Sequence, residues 1–281
     1  AFIMTLIAVL ATWSITSWAC TSILVGKDAS VDGSVMTTHT CDGRYEFRIE
    51  IVPAKDWPAG SMRPIMKGGG EGADLPQAVQ VGEIPQVDHT YTYFNIAYPF
   101  GNENQVLMGE TTVGGRRELR NPDGWFEIWE LQRVGLERAR TAREAVQIMG
   151  KIAEEYGYGD GGECLTITDP NEAWFFEIYG AGPFQKGAIW AAVRVPDDEI
   201  AVSANRSRIF ELKEDDPDNY MFCDNVFEFA IEQGWWNPAE GPLNFAEAYA
   251  PKDSPYNNRR EWRVLSLLAP SLDLDPWAKT Y

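Results

Sequence analysis

The chain has little histidine and a shortage of positive charge. Among its 281 residues only His39 and His89 are histidines, and 24 Lys and Arg face 42 Asp and Glu, which gives a net charge of −18. A nucleic-acid-binding protein needs clustered Lys and Arg to neutralise phosphates, so this balance argues against that class. His39 and His89 lie far apart in the sequence, which excludes an HExxH zinc enzyme, and two histidines leave a Ser-His-Asp triad few candidates for its base. A base other than histidine is therefore favoured.

Cysteine is also sparse, and its spacing fits no metal motif. The four cysteines, Cys20, Cys41, Cys164 and Cys223, form no CxxC pair. If Cys20 is a nucleophile, three thiols remain, which allows one disulfide of undetermined pairing. Cys164 and Cys223 lie among apolar residues, so we expect them to be buried packing thiols, and Cys41 is given no role.

The segment around Cys20 is the most informative part of the chain. An uncharged, mostly apolar stretch, residues 1–19, ends in Ser17-Trp18-Ala19, the small-x-small pattern that precedes signal-peptide cleavage. Hydroxyl residues dilute this stretch and no basic cluster follows it, which disfavours a membrane anchor. The bulky Trp18 fits a lipoprotein signal poorly. We therefore expect residues 1–19 to be a signal peptide or removed leader, and the remainder to be secreted or periplasmic without stable membrane association.

Apolar periodicity beyond the leader alternates between strands and helices. Thr21–Val25 and Ser34–Thr38 are predicted strands, joined by a tight hairpin turn at Asp32-Gly33. Thr141 and Glu144 have the spacing of a capping box, which predicts the start of a helix. Gly157 predicts that this helix ends near residue 157. Strands, paired helices and strands again predict an α+β domain. Further strands are expected at 47–52, 91–97, 106–112, 165–168, 173–178, 188–195 and 200–203, and further helices at 125–136 and 222–233.

A cysteine that begins a chain carries a nucleophile and a base on one residue. An α-amine titrates at about 7.7–8.0 and a thiol at about 8.5, so proton exchange between them near neutral pH is almost isoenergetic. Covalent bonding already holds the two groups within reach of each other. Cleavage before Cys20 would therefore create an amide-cleaving pair, which still needs oxyanion donors and a positive charge from elsewhere.

The run from Cys20 to Ser34 resembles the mature N-terminus of the dipeptidase A and secernin family of cysteine dipeptidases. These are N-terminal-nucleophile hydrolases, remotely akin to penicillin V acylases and bile salt hydrolases. The resemblance implies a four-layer αββα sandwich over residues 20–281, and we expect its C-terminal part to be missing because family members usually continue further. Further matching segments are Asn102-Glu103, Gly109-Glu110-Thr111-Thr112, 155–160, 162–165, 202–205, 224–226 and 259–263.

The same resemblance implies roles for residues far apart in the chain. Cys20 would be the nucleophile, Asp42 the acid that binds its α-amine, and Asn205 a donor to the oxyanion. From the residues alone, Asp42-Gly43 would be an ordinary turn and Asn205 a residue at a strand end. The functional interpretation therefore rests on the terminal cysteine together with the resemblance.

Positive charge near the thiolate is implied for Arg260, with Arg259 one position away as the alternative. Within Arg-Arg-Glu-Trp-Arg, either arginine could instead lie on a solvated helix face. His39 stands where many relatives have an arginine, so its charge at neutral pH is in question. Glu110 stands where relatives place a polar active-site residue.

Together these features predict an enzyme that hydrolyses dipeptides and other short peptides through a thioester on Cys20, without a metal or organic cofactor. Two alternatives stay open. One is an acyl-amide hydrolase on the same scaffold, acting on substrates such as penicillin V or bile salts. The other is a non-enzymatic secreted lipoprotein. A homo-oligomer is compatible with the composition, and a nucleic-acid partner is not.

Overall fold

The computed structural model describes residues 19–42, 48–68, 77–183, 186–251, 254–279 and 281. Apart from Ala19, the predicted leader therefore lies outside the described residues, as does the first residue of the strand predicted at 47–52. Within the described part of the chain, none of the helices has the length and apolar character needed to span a bilayer.

The described residues form fifteen strands, five α-helices and three short 3₁₀ helices, Arg117–Leu119, Pro238–Glu240 and Pro270–Leu272. The strands are β1 Thr21–Val25, β2 Met36–Thr40, β3 Glu50–Val52, β4 Lys55–Asp56, β5 Met62–Lys67, β6 Val79–Pro85, β7 His89–Thr90, β8 Tyr93–Asn95, β9 Gly101–Asn102, β10 Leu107–Thr112, β11 Glu163–Thr168, β12 Ala173–Gly180, β13 Ala188–Val195, β14 Ile200–Ser203 and β15 Tyr220–Phe222. The helices are α1 Ile128–Arg138, α2 Ala142–Tyr156, α3 Val226–Glu232, α4 Phe245–Tyr249 and α5 Pro255–Leu268.

Two antiparallel sheets dominate the architecture. The larger has eight strands in the order β15-β13-β12-β11-β10-β9-β8-β3, and the smaller has β1 at its centre in the order β14-β1-β2. The hairpins β4–β7 and β5–β6 form two separate two-stranded sheets. Strands that are mostly antiparallel, together with segregated helices, define an α+β protein, which confirms the predicted class.

The larger sheet is covered on both faces. Every residue of β11 and β12 is buried, which requires a packed layer on each side. Met108 and Gly109, adjacent residues of β10 that face opposite sides of the sheet, identify the two layers. A Cβ on Gly135 of α1 would lie 3.2 Å from Met108 Cε, whereas one on Gly109 would lie 3.1 Å from Ser22 Oγ of β1. The helices α1 and α2 therefore pack on one face and the smaller sheet packs on the other.

Local signals located the long elements correctly. Thr141 caps α2, because its Oγ1 accepts a hydrogen bond from the Glu144 backbone N–H at 3.1 Å, and Gly157 ends the helix with a φ of 87°. The strands predicted at 188–195 and 200–203 are β13 and β14, with unchanged bounds. Cys164 and Cys223 are buried free thiols, as predicted.

Two predictions were wrong. Val25 pairs with Met36, so residues 26–35 connect β1 and β2, and the turn at Asp32-Gly33 lies inside that longer loop. The Asp32 carboxylate accepts hydrogen bonds from the Ser34 N–H and hydroxyl, which accounts for the local turn signal. The helix predicted from residue 222 begins only at Val226, because Phe222 pairs with β13 as part of the edge strand β15.

The hairpin β5–β6 was not predicted, and a buried ion-pair cluster ties it to α1. Arg63 of β5 donates from Nε to Glu137 Oε2 at 2.7 Å and from Nη1 to Glu130 Oε1 at 2.6 Å. All three side chains are 12% exposed or less, so each charge depends on its partner.

Replacing Gly150 of α2 by alanine should destabilise the fold by about 1–3 kcal/mol, despite the better helix propensity of alanine. The added Cβ would lie 2.4 Å from Cε2 of the buried Trp190 ring, which has no flexible end to move. Urea unfolding measures the change. Gly161→Ala is the matched control, since its Cβ meets nothing within 4 Å, and equal effects of the two substitutions would contradict the packing argument.

Candidate active site

The pairing of β1 determines which residues surround Cys20. Thr21 pairs with Thr40 of β2, so Cys20 and Cys41, one step further out, stand opposite each other. On the other side Ser22 pairs with Ser203 at the end of β14, and Asn205 follows two residues later. Three segments that are distant in the chain therefore meet at the beginning of β1.

Cys20 is held through its backbone and its side chain together. Its N–H donates to Asn205 Oδ1 at 2.9 Å, and its thiol lies 3.5 Å from the Cys41 sulfur. The residue is 6% exposed with Ala19 still attached. The hydrogen bond with Cys41, burial and the negative charge of Glu110 all raise the pKa of the Cys20 thiol. In the uncleaved chain this sulfur is therefore neutral.

Arg260 joins helix α5 to the start of β1 and to the residues that follow β14, which lie at the same end of the smaller sheet. Its guanidinium is half-buried, and burial lowers its pKa without removing the charge. It donates five hydrogen bonds: from Nη1 to Cys20 O (2.5 Å) and Thr21 Oγ1 (3.2 Å), and from Nη2 to Ala204 O (2.8 Å), Asn205 Oδ1 (2.9 Å) and Asn257 Oδ1 (2.9 Å).

Arg259 occupies a different place. Its guanidinium lies 3.5 Å from the ring centroid of Trp277, in a cation–π contact. Of the two arginines that the sequence left open, Arg260 is the one whose contacts with Cys20 the structure describes.

Asn205 has an unusual backbone conformation and a side-chain amide that makes three hydrogen bonds. Its φ is 58°, in the left-handed region that asparagine tolerates better than most residues. Its Oδ1 accepts from Cys20 and Arg260, and its Nδ2 donates to Thr112 O at 2.7 Å. The second Nδ2 hydrogen is the one available for an additional acceptor.

His39 and Asp42 flank the same place from the β2 side. His39 Nδ1 accepts a hydrogen bond from the Glu110 backbone N–H at 3.1 Å, in the tautomer that leaves this nitrogen unprotonated. Asp42 is exposed, and its negative charge acts on Arg260.

Glu110 of β10 is fully buried beside the two sulfurs. Its Oε1 accepts from the Thr112 hydroxyl at 3.3 Å, and its Oε2 has no hydrogen-bond partner among the described residues. Burial raises the pKa of this carboxyl to about 7, although a hydrogen bond with Glu163 and the nearby His39 oppose the shift.

The loop that follows Asn205 is fixed by a second buried carboxylate, Glu177 of β12. Burial raises the pKa of Glu177 to about 7, against the opposing effect of its hydrogen-bond donors. Those donors are Ser207 Oγ (2.5 Å), the backbone N–H groups of Arg208 (2.5 Å) and Ile209 (3.2 Å), and the hydroxyl of Tyr179 (3.1 Å).

Sequence reasoning gave no role to Cys41 and overlooked Glu177. Glu177 had a signal, because it is the single charge in the apolar strand AWFFEIYG, and a buried charge needs partners. For Cys41, the only indication of a role is the pairing of β1 with β2, which places it opposite Cys20. By contrast, Cys20, Asn205 and Arg260 were singled out beforehand and lie together.

Comparisons with known proteins agree with one another. The sequence profile described as Peptidase family C69 matches residues 19–280. The chain is similar to a probable dipeptidase of Latilactobacillus sakei (30% identity; 92% of this chain, 54% of the relative) and to one of Salmonella dublin (34%; 91% and 59%). It is also similar to a probable dipeptidase B of Lactococcus lactis (29%; 87% and 52%). The chain thus spans about half the length of the curated relatives it matches.

Glu177 makes stability depend on pH. Its pKa is raised from 4.5 to about 7 on folding, so between these values the folded state keeps a proton that the unfolded state releases. Its contribution is complete below pH 4.5 and is lost as pH rises towards 7, by up to about 3 kcal/mol. Urea unfolding of wild type from pH 4.5 to 7 should therefore show a decline that Glu177→Gln makes smaller without abolishing it, because the raised pKa of Glu110 acts in the same direction. Glu232→Gln, at an exposed position of α3, should keep the decline, and the same decline in Glu177→Gln would contradict this account.

Proposed function

Because the chain belongs to peptidase family C69, we propose that it hydrolyses dipeptides through Cys20 after the Ala19–Cys20 bond is cut. One observation carries the proposal: two of the predicted catalytic side chains, those of Asn205 and Arg260, contact the backbone of Cys20 itself. Asn205 accepts from its N–H at 2.9 Å, and Arg260 donates to its C=O at 2.5 Å. Such contacts suit a nucleophile whose own nitrogen takes part in the reaction. The names of the relatives indicate the substrate class.

Cleavage would change the electrostatics of the thiol. A free α-ammonium would stand where the Cys20 N–H now donates to Asn205. We assign Asp42, whose negative charge acts on the adjoining Arg260, as the acid that binds it. A positive charge on the same residue favours the thiolate and opposes the effects of Cys41, Glu110 and burial. The uncleaved chain would thus hold its nucleophile neutral, and cleavage would activate it.

The proposed reaction has two half-steps. The α-amine takes the thiol proton, and the sulfur attacks the scissile carbonyl carbon to form a tetrahedral oxyanion, which accepts from Asn205 Nδ2. The α-ammonium then gives its proton to the departing amine as the C–N bond breaks, which leaves a thioester. Water, deprotonated by the α-amine, attacks the thioester, and the sulfur leaves as the thiol.

The remaining side chains act by position and charge. Arg260 holds the carbonyl of Cys20 and places a positive charge beside the sulfur. His39 fixes the backbone of β10 through the Glu110 N–H and so positions the Glu110 carboxyl group.

The wider setting belongs to the same proposal. We assign residues 20–281 to one domain of the four-layer αββα type found in N-terminal-nucleophile hydrolases. Support comes from α1 and α2 on one face of the larger sheet, the smaller sheet on its other face, and α5 against β14. The small-x-small pattern before Cys20 supports secretion or a periplasmic location.

Cys20→Ala should lower dipeptide hydrolysis at least about 1,000-fold, because it removes the sulfur that forms the thioester in the proposed mechanism. Hydrolysis of a dipeptide panel, with penicillin V as a comparison substrate, measures the loss, and intact-mass analysis establishes that the active protein begins at Cys20. Cys223→Ser, a buried thiol in another part of the fold, is the matched control. Retained turnover in Cys20→Ala, or an active protein with Ala19 still attached, would overturn the mechanism.

The adjacent arginines give a second test. Arg260→Lys cannot reproduce the two-nitrogen contact with Cys20 and Asn205, so kcat/KM should fall about 10–100-fold. Arg259→Lys, which alters only the contact with Trp277, should change it less than about threefold. Equal losses, or a larger loss in Arg259→Lys, would remove Arg260 from the proposed site.

A further inference from the structure

Three side chains of the types that can bind metals lie close together at the start of β1. The sulfurs of Cys20 and Cys41 are 3.5 Å apart, and a carboxylate oxygen of Glu110 lies with them so that all three atoms are within 4.8 Å of one another. We call these three residues the thiol–carboxylate cluster. The mechanism proposed above uses only the first of them.

The spacing fits a small tetrahedral ion. A zinc ion has Zn–S bonds of about 2.3 Å and Zn–O bonds of about 2.0–2.2 Å, and tetrahedral angles then separate two sulfur ligands by about 3.8 Å and a sulfur from an oxygen by about 3.5 Å. The observed sulfur separation is within a few tenths of an ångström of this value. Closing the remaining distances needs a movement of about 1 Å, which side-chain rotation can supply.

Glu110 supplies a second, independent observation. Its side chain is fully buried, and although it interacts with the Glu163 carboxyl group, its Oε2 has no hydrogen-bond partner among the described residues. A buried carboxyl oxygen without a partner is costly, and a cation bound by Glu110 and the two sulfurs would compensate for it. The hydrogen bond from the Glu110 N–H to His39 fixes the backbone that carries this ligand.

We propose that the thiol–carboxylate cluster is an inhibitory site for a thiophilic divalent cation of the Zn²⁺ and Cd²⁺ class. Binding forms two metal–sulfur bonds and one metal–oxygen bond, releases one proton from each thiol, and needs no oxidant. Water takes the fourth position, or the α-nitrogen of Cys20 does so in a chain cleaved before it. Two thiolates select against Mg²⁺ and Ca²⁺, which prefer oxygen ligands. The metal engages the electron pair with which Cys20 would attack a carbonyl.

Cadmium is the direct probe, because thiolate-to-cadmium charge transfer absorbs in the ultraviolet where Cd²⁺ alone does not. Titrating the reduced full chain should give one Cd²⁺ per chain with the absorbance of two thiolates, and Zn²⁺ should displace it. Cys41→Ser should show half that absorbance and bind at least tenfold more weakly. Glu110→Gln, which changes no sulfur, should keep the full absorbance and also bind at least tenfold more weakly.

Cys223→Ser is the matched control, because it removes a buried thiol outside the cluster and should leave both absorbance and affinity unchanged. Circular dichroism checks that each variant folds. The proposed site would be contradicted if wild type lacked the absorbance, or if Cys41→Ser kept all of it. It would also be contradicted if Cys223→Ser lost as much absorbance as Cys41→Ser.

The absorbance is read on the resting protein, so the result does not depend on the proposed dipeptidase activity. A chain that binds Cd²⁺ without cleaving dipeptides would support the site and contradict the proposed function. If dipeptides are cleaved, Zn²⁺ should stop turnover and a chelator should restore it. Turnover that continues with the cluster saturated would contradict the inhibitory role.

Discussion

The position of β1 between β2 and β14 is the constraint on which the candidate site depends. Antiparallel pairing sets which residues stand opposite each other, and a slip of one residue turns every side chain to the other face. In the observed register Cys20 faces Cys41 on one side and lies near Asn205 on the other. Ser22, held against the Glu110 carbonyl of the larger sheet at 3.4 Å, resists such a slip. The register is thus fixed by contacts between the two sheets as well as within one.

Two buried carboxyl groups also help to position the residues around Cys20. Glu177 fixes the loop after β14 from within the larger sheet, and Glu261 of α5 fixes it from the other side through Arg208 at 2.9 Å. Glu261 is paired with Arg208, so removing either charge leaves the other buried and uncompensated. Glu177 is held instead by neutral hydroxyl and backbone donors. Asn205 keeps its left-handed backbone because the flanking contacts over-determine it. The geometry around Cys20 is therefore a property of two sheets and a helix, not of one loop.

The fold was predictable wherever one segment carries its own signal. The cap at Thr141 and the apolar stripe that follows it specify α2, and continuous apolar runs specify β13. Prediction failed where pairing with a distant strand decides the outcome. Phe222 lies in a segment with helical periodicity, yet an open edge of β13 takes it as a strand. The hairpin β5–β6 depends on the buried Arg63, whose partners lie in α1. Local sequence propensity indicates neither the pairing of Phe222 with β13 nor the ion pairs of Arg63 with α1.

The site was predictable from resemblance and not from local pattern, because its members are far apart in the chain. Cys20 and Asn205 are separated by 185 positions, and Cys20 and Arg260 by 240. Cys41 was assigned no role, although it adjoins Asp42 in the sequence, and there is a definite reason. A two-residue turn at Asp32-Gly33 would have paired Val25 with Thr40 and set Cys41 opposite Leu24, within the strand. The observed pairing of Val25 with Met36 moves Cys41 by four positions to stand against Cys20. The length of one loop therefore decides whether the nucleophile has a second sulfur beside it.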